Sequence, residues 1–251
     1  MGKHQGDRLV FDIEVSPVIA WLWRTGYNIN VPAMNIREEG KVICISFKWE
    51  NESKIHNLQW DSKQNDKAML KKFIPIMQEA GEVIGHNHKN FDIKWMRTRC
   101  LFHRLPCPPT FVTIDTWSQA KTYFRFNSNS LAYITKFLGL EGKIDTGKGA
   151  GLWEKVVFDK DKKAMKEMLA YCDRDVDQTA KVFAEFAPYT EPTGHRGTSM
   201  QDCPHCGSMD TKKEKDRITA KGTKTVQFQC QECGKYAQVA AGKWYNNKSI
   251  L

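Results

Sequence analysis

The order of apolar and polar positions predicts several strands first, then strands and helices in alternation. Apolar residues run through 8–13, and two later segments alternate as strands do. The predicted strands are 8–13, 41–49, 54–60, 82–86 and 110–116. The predicted helices are 66–80, 89–101, 129–138 and a long helix from Asp159 or Asp161 to near Phe186. Residues 18–31 read as extended structure with a turn near Thr25. This order is typical of an α/β fold with a mixed sheet flanked by helices.

Composition changes abruptly after residue 188. Residues 189–200 are rich in Pro, Gly and Thr and predict a linker between a domain at 1–188 and a small module at 201–251. The chain has 251 residues and a formal net charge of +9, which suits a polyanionic partner such as nucleic acid. The sequence contains neither an apolar run long enough to cross a membrane nor the apolar core of a signal peptide, so we expect no membrane partner and a cytoplasmic location.

Two acids interrupt the apolar stretch RLVFDIEVS. Asp12 and Glu14 project to the same face of a strand, about 7 Å apart along the chain. Two like charges there are costly unless a cation neutralises them, which predicts a site for Mg²⁺ or Mn²⁺. The alternative is a solvent-exposed strand end.

Further acids follow at the starts and edges of predicted helices. Asp92 ends the polar stretch GHNHKNFD, where it could also be a simple helix cap. Tyr171 and Asp175 lie four residues apart on one face of the long helix. Asp173 and Asp177 point elsewhere by about 200°, which predicts a solvated face for them.

Three segments taken in order resemble a known family. FDIE, the N-x-x-x-F-D of Asn87 to Asp92, and the Y-x-x-x-D of Tyr171 to Asp175 are similar to the motifs of DEDD 3′→5′ exonucleases. They resemble the tyrosine subclass, because the histidine subclass would place His at position 170, which is Ala. FDIEVSPVIAWLW, NSLAYITKFLGLEGK and GLWEKV also resemble phage exonucleases related to the proofreading domain of family-B polymerases.

This resemblance implies a ribonuclease H-like fold and a two-metal phosphodiesterase. It implies that two Mg²⁺ or Mn²⁺ ions are held by Asp12, Glu14, Asp92 and Asp175, and that Tyr171 positions the attacking water. The expected substrate is a DNA 3′ end, with host cytoplasm as the location if the gene is phage-borne. The alternatives are an exoribonuclease, an inactive nucleic-acid-binding module, and an accessory subunit that docks on a replication or polymerase protein.

Aromatic and polar loop residues are candidates to grip the substrate. We expect Asn87, Phe91, Ser130 and Lys148 to bind it, with Phe124 and Phe126 as further candidates, although Phe91 and Phe124 also suit a core. Gly147-Lys148-Gly149 lacks phosphate-loop spacing and predicts a flexible loop. His86 and His88 are expected to line the cleft rather than bind zinc.

The C-terminal module carries two C-x-x-C pairs, which predict one structural Zn²⁺ in a zinc ribbon. The ligands are Cys203, Cys206, Cys230 and Cys233. A redox pair is the alternative. We expect QFQC and KYAQVA to be strands and His205 to be exposed. Residues 191–251 hold 10 Lys and Arg against 6 Asp and Glu. Nucleic-acid binding and protein docking are equal contenders for the role of the module.

Overall fold

The computed structural model describes residues 7–140 and 150–246. The chain forms two compact units, Met1–Phe183 and Ala184–Leu251. Lys148 and the predicted glycine-rich loop lie outside the described residues. The limits of the linker at 189–200 remain a prediction.

The first unit follows the predicted order of elements, with several additions. Its strands are β1 (Arg8–Val15), β2 (Ile19–Ala20), β3 (Ile36–Glu38), β4 (Val42–Trp49), β5 (His56–Gln59), β6 (Glu82–Gly85) and β7 (Val112–Asp115). Its helices are α1 (Lys67–Glu79), α2 (Asp92–His103), α3 (Thr116–Tyr123), α4 (Leu131–Phe137), α5 (Ala150–Val157) and α6 (Lys162–Phe186), whose last three residues fall in the second unit.

Five of these strands form one mixed sheet in the order β5-β4-β1-β6-β7. β4 runs antiparallel to β1 and β5, whereas β6 and β7 run parallel to β1. β1 is therefore the central strand, paired on both edges. This sheet and its helices confirm the predicted α/β class.

Both faces of the central strand are covered, which explains why it reads as a continuous apolar run. Leu9, Phe11 and Ile13 join a core with the buried side chains of α1 and α2. On the other side, Cys44 of β4 belongs to a second core that includes Cys172 of α6. Asp12 and Glu14 alternate with the residues of the first core and so face the second.

Side-chain caps set the starts of two helices. Asp161 accepts hydrogen bonds from the backbone N–H groups of Lys163 and Ala164, so of the two predicted starts of α6 the structure uses Asp161. Ser130 caps α4 by accepting from Tyr133 N. Although α6 is 25 residues long, no helix among the described residues is apolar and long enough to cross a membrane.

Several helical or extended segments of the first unit differ from the sequence prediction, among them β3, which was not predicted. α3 and α5 were not predicted. Residues 18–31 were expected to be extended, but only Ile19–Ala20 forms a strand, paired with β3.

The second unit is a small antiparallel sheet. Its elements are β8 (Thr211–Ile218), β9 (Lys224–Cys230), β10 (Tyr236–Ala240) and the short helix α7 (Ala241–Tyr245). The strand order is β10-β9-β8. Val226, Phe228 and Val239 form its core, and Trp244 packs against them. The predicted strands at QFQC and KYAQVA are confirmed, while β8 was not predicted.

Candidate active site

Asp12 and Glu14 lie beneath α6. The thiol of Cys172 is 3.4 Å from the carbonyl oxygen of Asp12 and 3.5 Å from its Oδ2. One side-chain atom each from Asp12, Glu14 and Cys172 lies within 4.8 Å of the others. Glu14 is buried and Asp12 is partly buried, so the alternative of an exposed strand end is wrong.

Asp92 reaches the same strand from the start of α2. Its Oδ1 accepts a hydrogen bond of 3.1 Å from the backbone N–H of Ile13, the residue between the two acids of β1. The pairing of β1 with β6 ends at Val10, so this N–H lies beyond the ladder. Asp92 is buried, and its carboxylate occupies the place that a longer β6 would take.

Asp175 and Tyr171 come from α6, on either side of Cys172. The charge of Asp175 contributes to the raised pKa of Glu14, so the two carboxyls are within range of each other's charge. The ring of Tyr171 meets the indole of Trp153 edge to face, with centroids 6.1 Å apart. The Trp153 Nε1–H donates to the carbonyl oxygen of Val15 at 3.1 Å. α5 thus connects the end of β1 to Tyr171.

Burial disfavours the charged form of all four carboxyls. It raises the pKa of Glu14 to about 8, with Asp175 and Asp92 adding to the shift. It raises the pKa of Asp92 to about 7 and that of Asp175 to about 6. The pKa of Asp12 lies well above its ordinary value because of burial and the neighbouring charges.

This cluster has the chemistry of a divalent metal site. Carboxylate oxygens are the ligands that Mg²⁺ and Mn²⁺ prefer, and a bound cation offsets the repulsion among them. Asp12 and Glu14 could hold such an ion, and Asp92 and Asp175 are the further carboxyls that interact with this pair. The pKa of Tyr171 rises to about 12 through burial and the nearby acids, so its phenol stays protonated and can donate a hydrogen bond.

The candidate substrate residues lie at different places around the fold. The Asn87 backbone has φ 59° and its N–H donates to Asp115. Phe91 is 43% exposed, which excludes the core alternative for it. Phe124 and Phe126 pack on each other with centroids 5.5 Å apart. The hydroxyl of Ser130 is engaged in capping α4.

Several polar residues are more buried than the sequence predicted. His88 is fully buried against Phe11, so the expectation that it lines a cleft is wrong. His86 is bonded to the Thr116 hydroxyl and to the Asn129 carbonyl. Asp173 is partly buried rather than solvated, because Ser46 donates to it at 2.7 Å.

Asp115 is a site-supporting residue that the sequence analysis missed. Its carboxylate accepts from the backbone N–H groups of Asn87 at 2.9 Å and Lys89 at 3.1 Å. It also caps α3 by accepting from Trp117 N and Ser118 N. It therefore fixes the loop that leads to Asp92. In the sequence, an acid between a predicted strand and a possible helix start indicates such a capping role.

The cysteines of the second unit converge as predicted. The Sγ atoms of Cys203 and Cys233 are 3.6 Å apart, as are those of Cys206 and Cys230. All four sulfurs lie within 4.8 Å of one another and could hold a metal ion.

A glycine in the left-handed region follows each cysteine pair, and the histidine between two of the cysteines is not exposed as predicted. Gly207 and Gly234 have φ of 82° and 72°, values that favour glycine. Each donates its N–H to the carbonyl oxygen of the first cysteine of its pair. His205 is buried, near the Tyr236 carbonyl, so its predicted exposure is wrong.

Comparisons with known proteins match this fold. A family model described as the RNase_H superfamily matches residues 35–187, a range that contains Asp92, Tyr171 and Asp175 and begins after Glu14. A family B DNA polymerase from the hyperthermophilic archaeon Pyrobaculum calidifontis superposes with a TM-score of 0.55 at 14% identity. The match covers 72% of this chain and 24% of the polymerase chain. No curated protein matches.

Proposed function

This chain belongs to the RNase H superfamily, and on that premise we propose that it is a metal-dependent 3′→5′ exonuclease of the DEDD tyrosine subclass. The family confirms the predicted ribonuclease H-like fold and supports a nuclease in general. The finer proposal is carried by one observation: the carboxylate of Asp92 bonds to the backbone of Ile13, between Asp12 and Glu14. Motifs about eighty residues apart in sequence thus meet at one strand.

The proposed catalytic groups have distinct roles. Asp12, Glu14, Asp92 and Asp175 would hold two Mg²⁺ or Mn²⁺ ions. Such ions lower the pKa of a bound water and neutralise the leaving oxygen during phosphodiester hydrolysis. Tyr171 orients the attacking water by donating its phenol proton in a hydrogen bond. It does not act as a base, since its pKa is about 12.

The substrate we favour is a single-stranded DNA 3′ end. Phe91 exposes an aromatic surface next to Asp92 that suits stacking of a nucleobase. We retain Asn87, Ser130 and Lys148 as candidate contacts. An exoribonuclease would share the same metal site. The match covers 24% of the polymerase chain, and a proofreading role would depend on a polymerase activity outside the matched region.

The second unit is proposed to be a zinc ribbon. Its four convergent thiols suit a closed tetrahedral Zn²⁺ site, which has a structural rather than a catalytic role. We propose a cytoplasmic location, in a host cell if the gene is phage-borne.

A digest of matched oligonucleotides tests the proposed activity. DNA and RNA of one sequence, labelled at the 5′ end, are incubated with the protein with and without Mg²⁺. We expect a DNA ladder that shortens from the 3′ end only with Mg²⁺. Asp12→Asn should reduce the rate at least about 10³-fold, since it removes a metal ligand.

Asp177→Asn is the matched control for that digest. Asp177 lies on α6 as Asp175 does, but its carboxylate is 2.7 Å from Lys181 Nζ and takes no part in the cluster. This variant should keep wild-type activity. Full activity of Asp12→Asn, or activity without any divalent ion, would exclude the proposal, and a ladder on RNA alone would favour the exoribonuclease.

A further inference from the structure

One face of the sheet in the second unit carries a row of cations. Cross-strand pairing in β8 and β9 places Lys212 opposite Gln229, Lys215 opposite Gln227 and Arg217 opposite Thr225. Paired residues project to the same face of a sheet. The alternate residues of β9, Val226 and Phe228 among them, form the core. The three cations therefore lie on the face opposite the core, which we call the outer face.

A β-bulge in β8 determines which of its charged side chains lie on each face of the sheet. The pairing register shifts between Lys213 and Lys215, so Glu214 is the extra residue. Beyond the bulge, Asp216 pairs with Val226 and so lies on the core side. There its carboxylate is 2.6 Å from Lys213 Nζ. The paired acid and base of β8 are thus kept off the outer face.

The outer-face cations are available to a ligand. Lys212, Lys215 and Arg217 are all exposed, whereas the ion pair described on β8 joins Lys213 and Asp216. Lys215 and Arg217 project in parallel, about 7 Å apart by the rise of a strand. β8 is also an edge strand, so this row lies at the open side of the sheet.

The rest of the outer face is polar and aromatic. Tyr236 and Gln238 of β10 pair with Gln229 and Gln227, and so share the face with the cations. The Tyr236 side chain is about half exposed. Cations beside amides and an accessible aromatic ring are the groups that contact the phosphates and bases of a single strand.

We propose that the outer face, defined by Lys212, Lys215, Arg217, Gln238 and Tyr236, binds single-stranded nucleic acid. The cations contact phosphates and Tyr236 stacks on a base. This site is separate from the carboxylate cluster of the first unit and does not depend on hydrolysis there. Lysines at an edge strand also prevent aggregation, and a basic face also attracts acidic proteins. The binding experiment distinguishes nucleic-acid binding from protection of the edge strand and from binding of acidic proteins.

The test measures binding of the full chain to a 5′-fluorescein oligothymidylate of about 30 nucleotides by anisotropy over a range of salt concentrations. Asp12→Asn is present in every sample so that no substrate is cut. The triple variant Lys212→Gln, Lys215→Gln, Arg217→Gln should weaken binding at least about tenfold at low salt. The slope of log Kd against log salt concentration should fall by about 2, because each of the three lost phosphate contacts contributes about 0.7.

The matched control removes three cations that are not on the outer face. Lys221→Gln, Lys224→Gln and Lys243→Gln change the net charge equally, and all three residues are exposed. This control should change affinity less than about twofold. Tyr236→Ala should weaken binding without changing the salt slope, because stacking releases no counterions. Zinc content and the melting curve verify that each variant is folded.

Three results would overturn the proposal. Equal losses in the two triple variants would show a general effect of charge. Unchanged affinity with self-association of the outer-face variant would show that the cations only protect the edge of β8. Unchanged oligonucleotide binding with lost binding to polyglutamate would show that the face recognises acidic proteins.

Discussion

At the scale of single residues, the ionised carboxyls of the cluster repel one another, and a bound divalent cation would offset that repulsion. Folding raises the pKa of Glu14 from 4.5 to about 8 and that of Asp175 from 3.8 to about 6. A group whose pKa is raised on folding binds its proton more tightly in the folded state. The resulting stability is full below the unfolded pKa and is lost as the pH rises through the folded value. Without metal, the first unit should therefore lose stability between about pH 5 and pH 8.

We predict that the gain in Tm from Mg²⁺ increases with pH. At pH 8 the ionised acids repel one another unless Mg²⁺ is bound, whereas at pH 5 protons take its place. The gain should be about 5–10 °C larger at pH 8, since about 1 kcal/mol shifts Tm by 2–4 °C in a unit of this size. Differential scanning fluorimetry in Mg²⁺-free and Mg²⁺-containing buffers measures it.

Asp12→Asn is the informative variant for this prediction. It should melt higher than the wild type at pH 8 without Mg²⁺, because one of the repelling charges is gone, and should gain little when Mg²⁺ is added. An Mg²⁺ effect of the same size at both pH values, or one that survives in Asp12→Asn, would contradict the account of the cluster.

At the scale of elements, buried ion pairs hold helices to the sheet beside the site. Asp66 precedes α1 and is fully buried. Arg99 of α2 donates to both of its oxygens, His103 Nε2 is 2.6 Å away, and the Val42 N–H donates to it as well. Although burial favours the neutral acid, these hydrogen bonds hold the pKa of Asp66 below its ordinary value. This carboxylate joins α1, α2 and β4.

Asp66→Asn should destabilise the first unit by about 3–5 kcal/mol, because it leaves the buried Arg99 without its counter-charge. The contribution of Asp66 is full above its unfolded pKa and is lost as the pH falls through its lower folded value, so the variant and the wild type should converge in acid. Urea unfolding at pH 7 and pH 3 measures both effects. Asp161→Ala, which removes only a helix cap, should cost about 1 kcal/mol. A loss below that for Asp66→Asn would show that the network contributes little.

The elements also show what a single sequence can reveal. β4 and α6 were predictable because their apolar residues repeat at the period of a strand or helix, and β1 because it is a short, mostly apolar run. β8 was missed because its KKEKDR segment is exposed and has no apolar alternation. α3 was missed because it follows β7 without a loop. At the site, the resemblance to three exonuclease motifs predicted the four acids as a set, and the structure bonds Asp92 to the strand that carries Asp12 and Glu14. The burial of Asp173 was not, since its partner Ser46 lies 127 residues away in the chain.

At the scale of the whole molecule, the chain consists of two units with different sources of stability. The first has large cores on both sides of a sheet, whereas the core of the second has three buried side chains beside four convergent cysteines. We infer that a module with so small a core would depend on a metal bound by these cysteines to fold.

We therefore predict that stripping zinc unfolds the second unit alone. A strong zinc chelator should abolish a separate low-temperature transition in calorimetry and leave that of the first unit in place. Cys206→Ser should reproduce the effect, and Cys107→Ser, outside the four-cysteine group, should not. Loss of both transitions on chelation would show that the two units do not unfold independently.

Anomalous diffraction from crystals soaked in Mn²⁺ tests the central claim most directly. We predict two Mn²⁺ peaks about 3.5–4 Å apart, bound by the carboxylates of Asp12, Glu14, Asp92 and Asp175. Asp12→Asn crystals should lose at least one peak. Mn²⁺ peaks elsewhere, with none within coordination distance of Asp12, would contradict the account.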